Sequence, residues 1–359
     1  MKIFFDYNIF YRQKFGGISS YYYNLFEEFN RRKISFLACP IFNKNRYIPK
    51  IKKNIFSINI FQCPSIFYNF LDKLNYEISK SFLKFYSPDI IHITYYNKNI
   101  LEYKKAKKIL TVYDMVTEIF PSKENLKISK VKEQSIKSSD HIIAISKKTK
   151  EDLISYFNVP PKKISVIYLG TNLMNKFNNI NKKENFILYV GSRKSYKNFE
   201  KFLYAIRSSS LLYDDFNIIC FGGENFSKYD KDILNKYQFE LSKIKFIFGK
   251  DEVLKKLYST AKLFVYPSLY EGFGLPILEA MANNCPVLCS NRGSLPEIAG
   301  DAAIYFNPDS VEDIKSSIEN VIYNETCLRF LIKKGISRVK LFSWSNCANK
   351  TYKLYQNTT

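Results

Sequence analysis

Histidine and tryptophan are nearly absent from this chain, at two and one residues among 359. With so few imidazoles, and no grouping of Cys, His and carboxylate at ligand spacing, no structural zinc site is expected. No Asp-x-Asp is convincing as a metal motif either. The seven cysteines, at 39, 63, 220, 285, 289, 327 and 347, are odd in number and lie mostly inside apolar runs. They read as reduced core residues rather than a disulfide framework. No stretch approaches the roughly 20 uncharged apolar residues that a bilayer-spanning helix needs. The opening MKIFFDYNIFYRQ meets a polar residue too early for a signal peptide, so the expectation is a cytoplasmic protein. Acidic residues are scarce as well: 33 against 55 Lys and Arg leave a formal charge of +22. Such a surplus points to polyanionic partners, either nucleic acid, an acidic membrane surface or phosphorylated ligands. No zinc finger, RNA-binding aromatic motif or recognition-helix pattern supports nucleic acid. Part of the lysine surplus follows from an AT-rich composition loaded with Lys, Asn, Ile, Phe and Tyr, and needs no partner.

What is present is apolar mass. Hydrophobic content of 46%, with 17% aromatic, fills more than one core, and 359 residues suit two α/β domains. Lys2 to Asp6 reads as a first strand, followed by Gly16-Gly17 and a helix from Ser20 to Arg31. Strand, paired glycines and helix form a geometry that lets backbone approach a phosphate, or alternatively a plain tight turn. Residues 43–87 are rich in lysine and aromatics, with helix around Ile66 to Tyr86. They read either as an interfacial face for a lipid-linked acceptor or as a solvated helix with a core stripe. Pro88 to Tyr96 is a buried strand that places His92 as an acceptor-side candidate or, equally, as a core histidine. The next strand ends in Tyr113-Asp114, and Asp114 is an acceptor-side candidate. His141 opens a later strand and reads as structural. Ser146 caps the helix that follows.

A hinge falls at about 172–184, and a second α/β unit then begins. The strand Phe186 to Val190 runs into GSRKSYKN, where Arg193 and Lys197 at a helix start make a cationic pocket for a diphosphate, or surface charge. Further strand and glycine turns appear at Asn217 to Glu224 and at Ile244 to Gly249. The strand Leu263 to Tyr266 leads into a loop with Glu271, Gly272, Phe273 and Gly274, and then into a helix opening Leu275-Pro276. Glycines here let backbone reach a ligand, and the helix start favours anions or hydroxyls. Glu271 and Glu279 sit on different elements and need not be an acid/base pair.

The order EGFGLPILEAMA, CPVLCS, SLPE, GDAA and FNP closely resembles the family 4 retaining glycosyltransferases, and at lower specificity the likeness covers nearly the whole chain. The resemblance implies a GT-B fold, with two Rossmann-like α/β domains facing across a cleft. It implies an acceptor-side domain at 1–172, a nucleotide-sugar domain at 173–341, and a tail at 342–359 crossing back to the first. The implied donor site comprises Gly16, Gly17, Arg193, Lys197, Phe248, Gly249, Glu271, Gly272, Phe273, Gly274, Leu275 and Glu279. In that set Phe248 and Gly249 pack on the base, Glu271 holds sugar hydroxyls and Glu279 the ribose. Arg193, Lys197, Glu271 and Asp114 are the implied catalytic set, with His92, Tyr113 and Asp114 on the acceptor side. Relatives often have histidine where this chain has Tyr113, which unsettles a histidine-dependent role there. No cofactor or metal is implied beyond the nucleotide-sugar co-substrate. The motifs look most like bacterial O-antigen and surface-glycan enzymes, often GDP-mannose users, with a lipid-linked glycan acceptor and peripheral contact with an anionic membrane. UDP-sugar donors, a sugar-nucleotide epimerase of the same shape, and a non-catalytic basic binding protein on a degenerate scaffold stand as alternatives.

Overall fold

The computed structural model describes residues 1–51, 54–60, 64–97, 102–171, 182–193, 195–223 and 227–359. Lys194, Glu224 and most of the expected hinge, at 172–181, lie outside the described residues. Contacts divide the chain into two units, one formed by 1–170 with 344–359 and the other by 171–343.

In the first unit six short strands form a parallel sheet: β1 Ile3–Phe5, β2 Phe36–Ala38, β5 Ile90–Ile93, β6 Lys107–Val112, β7 His141–Ala144 and β8 Ile164–Val166. Their order is β2-β1-β5-β6-β7-β8, so the winding reverses between β1 and β5. The missing numbers, β3 Phe42–Asn43 and β4 Ile58–Asn59, make a separate two-stranded ladder. Near-continuous burial along β1, β2, β5 and β6 is what a parallel sheet covered on both faces requires. The strand Ile90–Ile93 is shorter than the apolar run around it, because the polar residues after Ile93 leave the ladder. The helix Gly17–Arg31 starts three residues earlier than its apolar pattern indicates: Gln13 Oε1 accepts from Ser19 N at 2.9 Å and caps its first turn. The final helix, Trp344–Thr358, packs on Gly17–Arg31 inside this unit.

The second unit repeats the architecture. Strands β9 Glu184–Val190, β10 Asn217–Phe221, β11 Ile244–Ile247, β12 Ala261–Tyr266, β13 Val287–Ser290 and β14 Ile304–Phe306 are all parallel, in the order β11-β10-β9-β12-β13-β14. The winding reverses between β9 and β12. Open parallel sheets take ligands beyond the carboxyl ends of the strands, where this reversal leaves a crevice. The core beneath is built from the helix Phe199–Arg207, whose Phe199, Phe202, Leu203 and Ile206 face the sheet, and from Ile314, Ile318 and Ile322 of Val311–Ile322.

Candidate functional site

The expected donor residues of the second unit follow the carboxyl ends of its strands. Arg193 comes after β9, Phe248 and Gly249 after β11, and Glu271 to Leu275 after β12; Gly191 and Gly222, outside that expected set, follow β9 and β10. β9 and β12 flank the winding reversal, and across it Lys197 Nζ is ion-paired to Glu271 Oε1. Both side chains are about nine-tenths buried, at 13% and 14% exposure. Lys197 also donates to Tyr266 Oη at 3.1 Å and lies over the Tyr196 and Tyr266 rings at 5.3 Å each. Two aromatic faces and a carboxylate hold the ammonium at the reversal. Burial and the Glu271 carboxylate push the Tyr266 hydroxyl well above its ordinary range, so it stays a neutral partner.

The loop bearing Glu271 is fixed from behind. Its carbonyl accepts from Ser294 N at 3.2 Å and Ser294 Oγ at 2.9 Å. Gly293, at φ +61°, lies so close that a Cβ there would stand 2.8 Å from Glu271 N and O. On the other side Leu269 N donates to Tyr196 O at 2.8 Å, tying this loop to the Lys197 turn. Gly274, at φ +97°, then caps the helix Leu275–Ala282, which has no side-chain cap and carries proline in its first turn. Glu279 lies along that helix, accepting from Tyr258 Oη at 3.4 Å, and burial together with the Asp251 carboxylate pushes its carboxyl up to about 7. Phe248 is 45% exposed beside Gly249.

Arg193 is not the open cation expected from its motif. It is 9% exposed, its Nε donates to Asp230 Oδ1 at 2.8 Å, its Nη1 donates to Gly222 O at 3.2 Å, and the guanidinium lies 4.6 Å from the Phe246 ring centroid. Asp230 also serves the capping box of Lys228–Lys236 through Ser227. Burial raises the Asp230 carboxyl, but Arg193 and Ser227 together outweigh it and hold it below its ordinary value. Arg193 thus cross-links three strand ends while keeping its charge at the sheet edge.

In the first unit two expectations need correction. His92 is fully buried, with Nε2 2.8 Å from Thr111 Oγ1 and 3.3 Å from Tyr22 Oη, and with Nδ1 paired to Tyr355 Oη of the final helix. Burial lowers its pKa to about 3, so it is a neutral core residue and offers nothing to an acceptor. Tyr113 also turns inward, donating to Tyr22 Oη at 2.8 Å. Asp114 is partly exposed, and its Oδ1 accepts from Val116 N at 3.0 Å. At Gly16, Gln13 already fills the space that a Cβ would enter, within 2.4 Å of its amide nitrogen. The glycine there admits the chain's own amide.

The model of Glycosyltransferase Family 4 matches residues 15–174, and that of Glycosyl transferases group 1 matches residues 171–338. Together they span both units. The O-antigen chain mannosyltransferase RfbU of Salmonella typhimurium is 31% identical over 250 residues, covering 67% of this chain and 66% of the relative. The chain belongs to glycosyltransferase family 4. Another member, the O-antigen chain mannosyltransferase B of Escherichia coli, is 45% identical over 106 residues, or 30% of this chain and 28% of its own length. These matches thus cover less than two thirds of each relative. The solved sucrose-phosphate synthase from Thermosynechococcus elongatus superimposes with a TM-score of 0.79 at 19% identity, covering 99% of this chain and 98% of that one. The fold of this family 4 chain is GT-B.

Several residues of the site carry no motif signal. Tyr266 and Gly293 act on Lys197 and Glu271 through space, and Asp230 reads in sequence only as part of a helix start. In the first unit, Asp6 sits at the reversal between β1 and β5. Its carboxylate accepts from Thr94 N at 3.1 Å and from Asn8 Nδ2 at 2.6 Å, and Asn97 Nδ2 donates to Asn8 Oδ1 at 2.5 Å. Burial pushes Asp6 up to about 6 against those hydrogen bonds. This family 4 chain fills one of its two reversals with its own side chains and sets an ion pair at the other.

Proposed function

We propose that this chain transfers a sugar from a nucleoside-diphosphate donor to a hydroxyl of a lipid-linked glycan, with retention at the anomeric carbon. We take the donor to be GDP-mannose and the product a bacterial surface polysaccharide of the O-antigen kind. The observation that carries the reading is the Lys197–Glu271 pair at the reversal of the second sheet, next to the start of Leu275–Ala282, which has no side-chain cap. A diphosphate calls for fixed positive charge, and Lys197, Arg193 and a helix N-terminus supply it at one sheet edge. Glu271, facing Lys197, suits sugar hydroxyls, and Glu279 suits the ribose. In this scheme the bond from the anomeric carbon to the β-phosphate oxygen breaks while the acceptor oxygen bonds to that carbon. The departing phosphate takes the acceptor's proton, so no separate base is needed. The mannosyl donor and the glycan product are supported by the names of the relatives, two of which are O-antigen mannosyltransferases.

The test is nucleotide release from GDP-mannose, UDP-glucose and UDP-N-acetylglucosamine in the presence of a lipid-linked glycan extract. GDP release matched by a one-hexose gain in acceptor mass is expected, falling about 10²- to 10³-fold in Lys197→Met. Turnover of a UDP-sugar instead would replace the donor. No turnover of any donor would favour a basic binding protein on a transferase scaffold.

A further inference from the structure

We infer that Lys132 is a positioning residue for sugar transfer: buried behind the carboxyl ends of β5 and β6, it fixes the turn that carries Asp114 and so sets that carboxylate against the acceptor. The inference deepens the proposed function and rests on that reading, with Asp114 as its acceptor-side group. Lys132 lies in the helix Lys123–Ser138, and its side chain is 1% exposed. A lysine buried to that degree needs a partner for each of its three N–H donors. Nζ donates to Glu118 Oε2 at 2.6 Å, to Thr117 Oγ1 at 2.9 Å and to the Asp114 carbonyl at 3.0 Å, and it lies 5.2 Å from the centroid of the Tyr96 ring. Thr117 Oγ1 in turn donates to Glu118 Oε1 at 2.9 Å, closing a ring of three side chains. All of these oxygens belong to the turn that follows β6.

The helix in that turn, Val116–Ile119, has four residues, too few to stand alone. Asp114 is held there twice, by its carbonyl on Lys132 and by its Oδ1 on Val116 N. One helical turn past Lys132, Ser135 Oγ accepts from Asn97 N at 3.3 Å, just after β5. One face of Lys123–Ser138 thus ties both strand ends. Stability alone does not call for this arrangement, because replacing a buried ion pair by apolar side chains of like volume is often neutral or stabilising. What hydrocarbon cannot do is hold three oxygens of one turn at hydrogen-bond distance from a single atom. Sugar transfer is sensitive to that, since a misplacement of about 1 Å at a group meeting the substrate can lower the rate about 10²-fold.

The experiment compares wild type with K132M/E118L, which removes both charges and strands neither, and with Lys132→Arg, whose planar fork cannot meet the three oxygens from one atom. The readouts are transfer to the lipid-linked glycan extract, the thermal response to nucleotide, and amide exchange of residues 114–120. Both variants are expected to fold, to keep the wild-type thermal response and to exchange 114–120 faster, while transfer falls about 10- to 100-fold. In an Asp114→Asn background, removing the pair should have little further effect, because Lys132 acts through Asp114. Wild-type transfer in a folded variant, unchanged exchange at 114–120, or an equal fall with and without Asp114 would overturn the inference. Should K132M/E118L fail to fold, Lys132→Arg, which keeps the charge pair, decides on the same readouts. A wild type that transfers no sugar would sink the transferase reading and this role with it, a failure seen before any variant is assayed.

Discussion

Arg193 and Lys197 are four positions apart and share one motif, yet their surroundings divide the work between them. Arg193 is committed to Asp230 and the Gly222 carbonyl, so its removal strands a buried carboxylate. Arg193→Ala should cost about 3–5 kcal/mol of stability, read from denaturant unfolding, and an unchanged midpoint would show that the pair carries no weight. Glu279 gives a pH-dependent outcome. Its folded value of about 7 lies above the ordinary 4.5, so the folded state holds the extra proton between those values, and stability declines as pH rises through that window. Glu279→Gln should therefore gain about 1 kcal/mol over wild type near pH 8 and little near pH 4, after discounting for partial exposure. A uniform loss at both pH values would contradict the assignment. Lys197 and Glu271, which the fold brings together, stand out in sequence because GSRKSYKN and EGFGLPILEAMA are contiguous. Their partners were not, because Tyr266, Asp230 and Gly293 reach them only through the fold.

The elements were legible where composition is strong. Strand, glycine and helix starts after β9 and β12 follow from apolar runs ended by glycine or proline. The tail expected at 342–359 forms the helix Trp344–Thr358, after the helices Val311–Ile322 and Glu325–Val339. The helix Lys123–Ser138 gave little signal, since its periodicity is diluted by lysines and serines. His92 shows why its role was not legible: the strand pattern placed it at a ligand edge, but Tyr355, 263 positions away, supplies its Nδ1 partner. That contact pins the final helix to the first sheet. Tyr355→Phe should leave Nδ1 unpartnered in a dry core and cost about 1–3 kcal/mol in denaturant unfolding. No loss would mean that the helix is held by packing alone.

At the scale of the whole molecule, two sheets of like winding put their ligand edges at opposite degrees of readiness. The first fills its reversal with the Asp6, Asn8, Thr94 and Asn97 network, while the second sets Lys197 against Glu271 beside a helix start with no side-chain cap. The surplus of +22 was legible in composition, whereas which face of Tyr68–Tyr86 turns inward, with Asn75, Ser79 and Leu83, was not. The central claim is that the second unit holds a nucleoside diphosphate at its reversal. It is tested most directly by thermal unfolding of wild type and Lys197→Met with GDP, UDP, ADP and their sugar conjugates. A ligand bound to the native state at 100 times its dissociation constant adds about 2.7 kcal/mol. The account predicts a rise in midpoint with GDP and GDP-mannose, small with the others, and lost in Lys197→Met. A wild-type midpoint indifferent to every nucleotide, or a rise that survives in Lys197→Met, would contradict it.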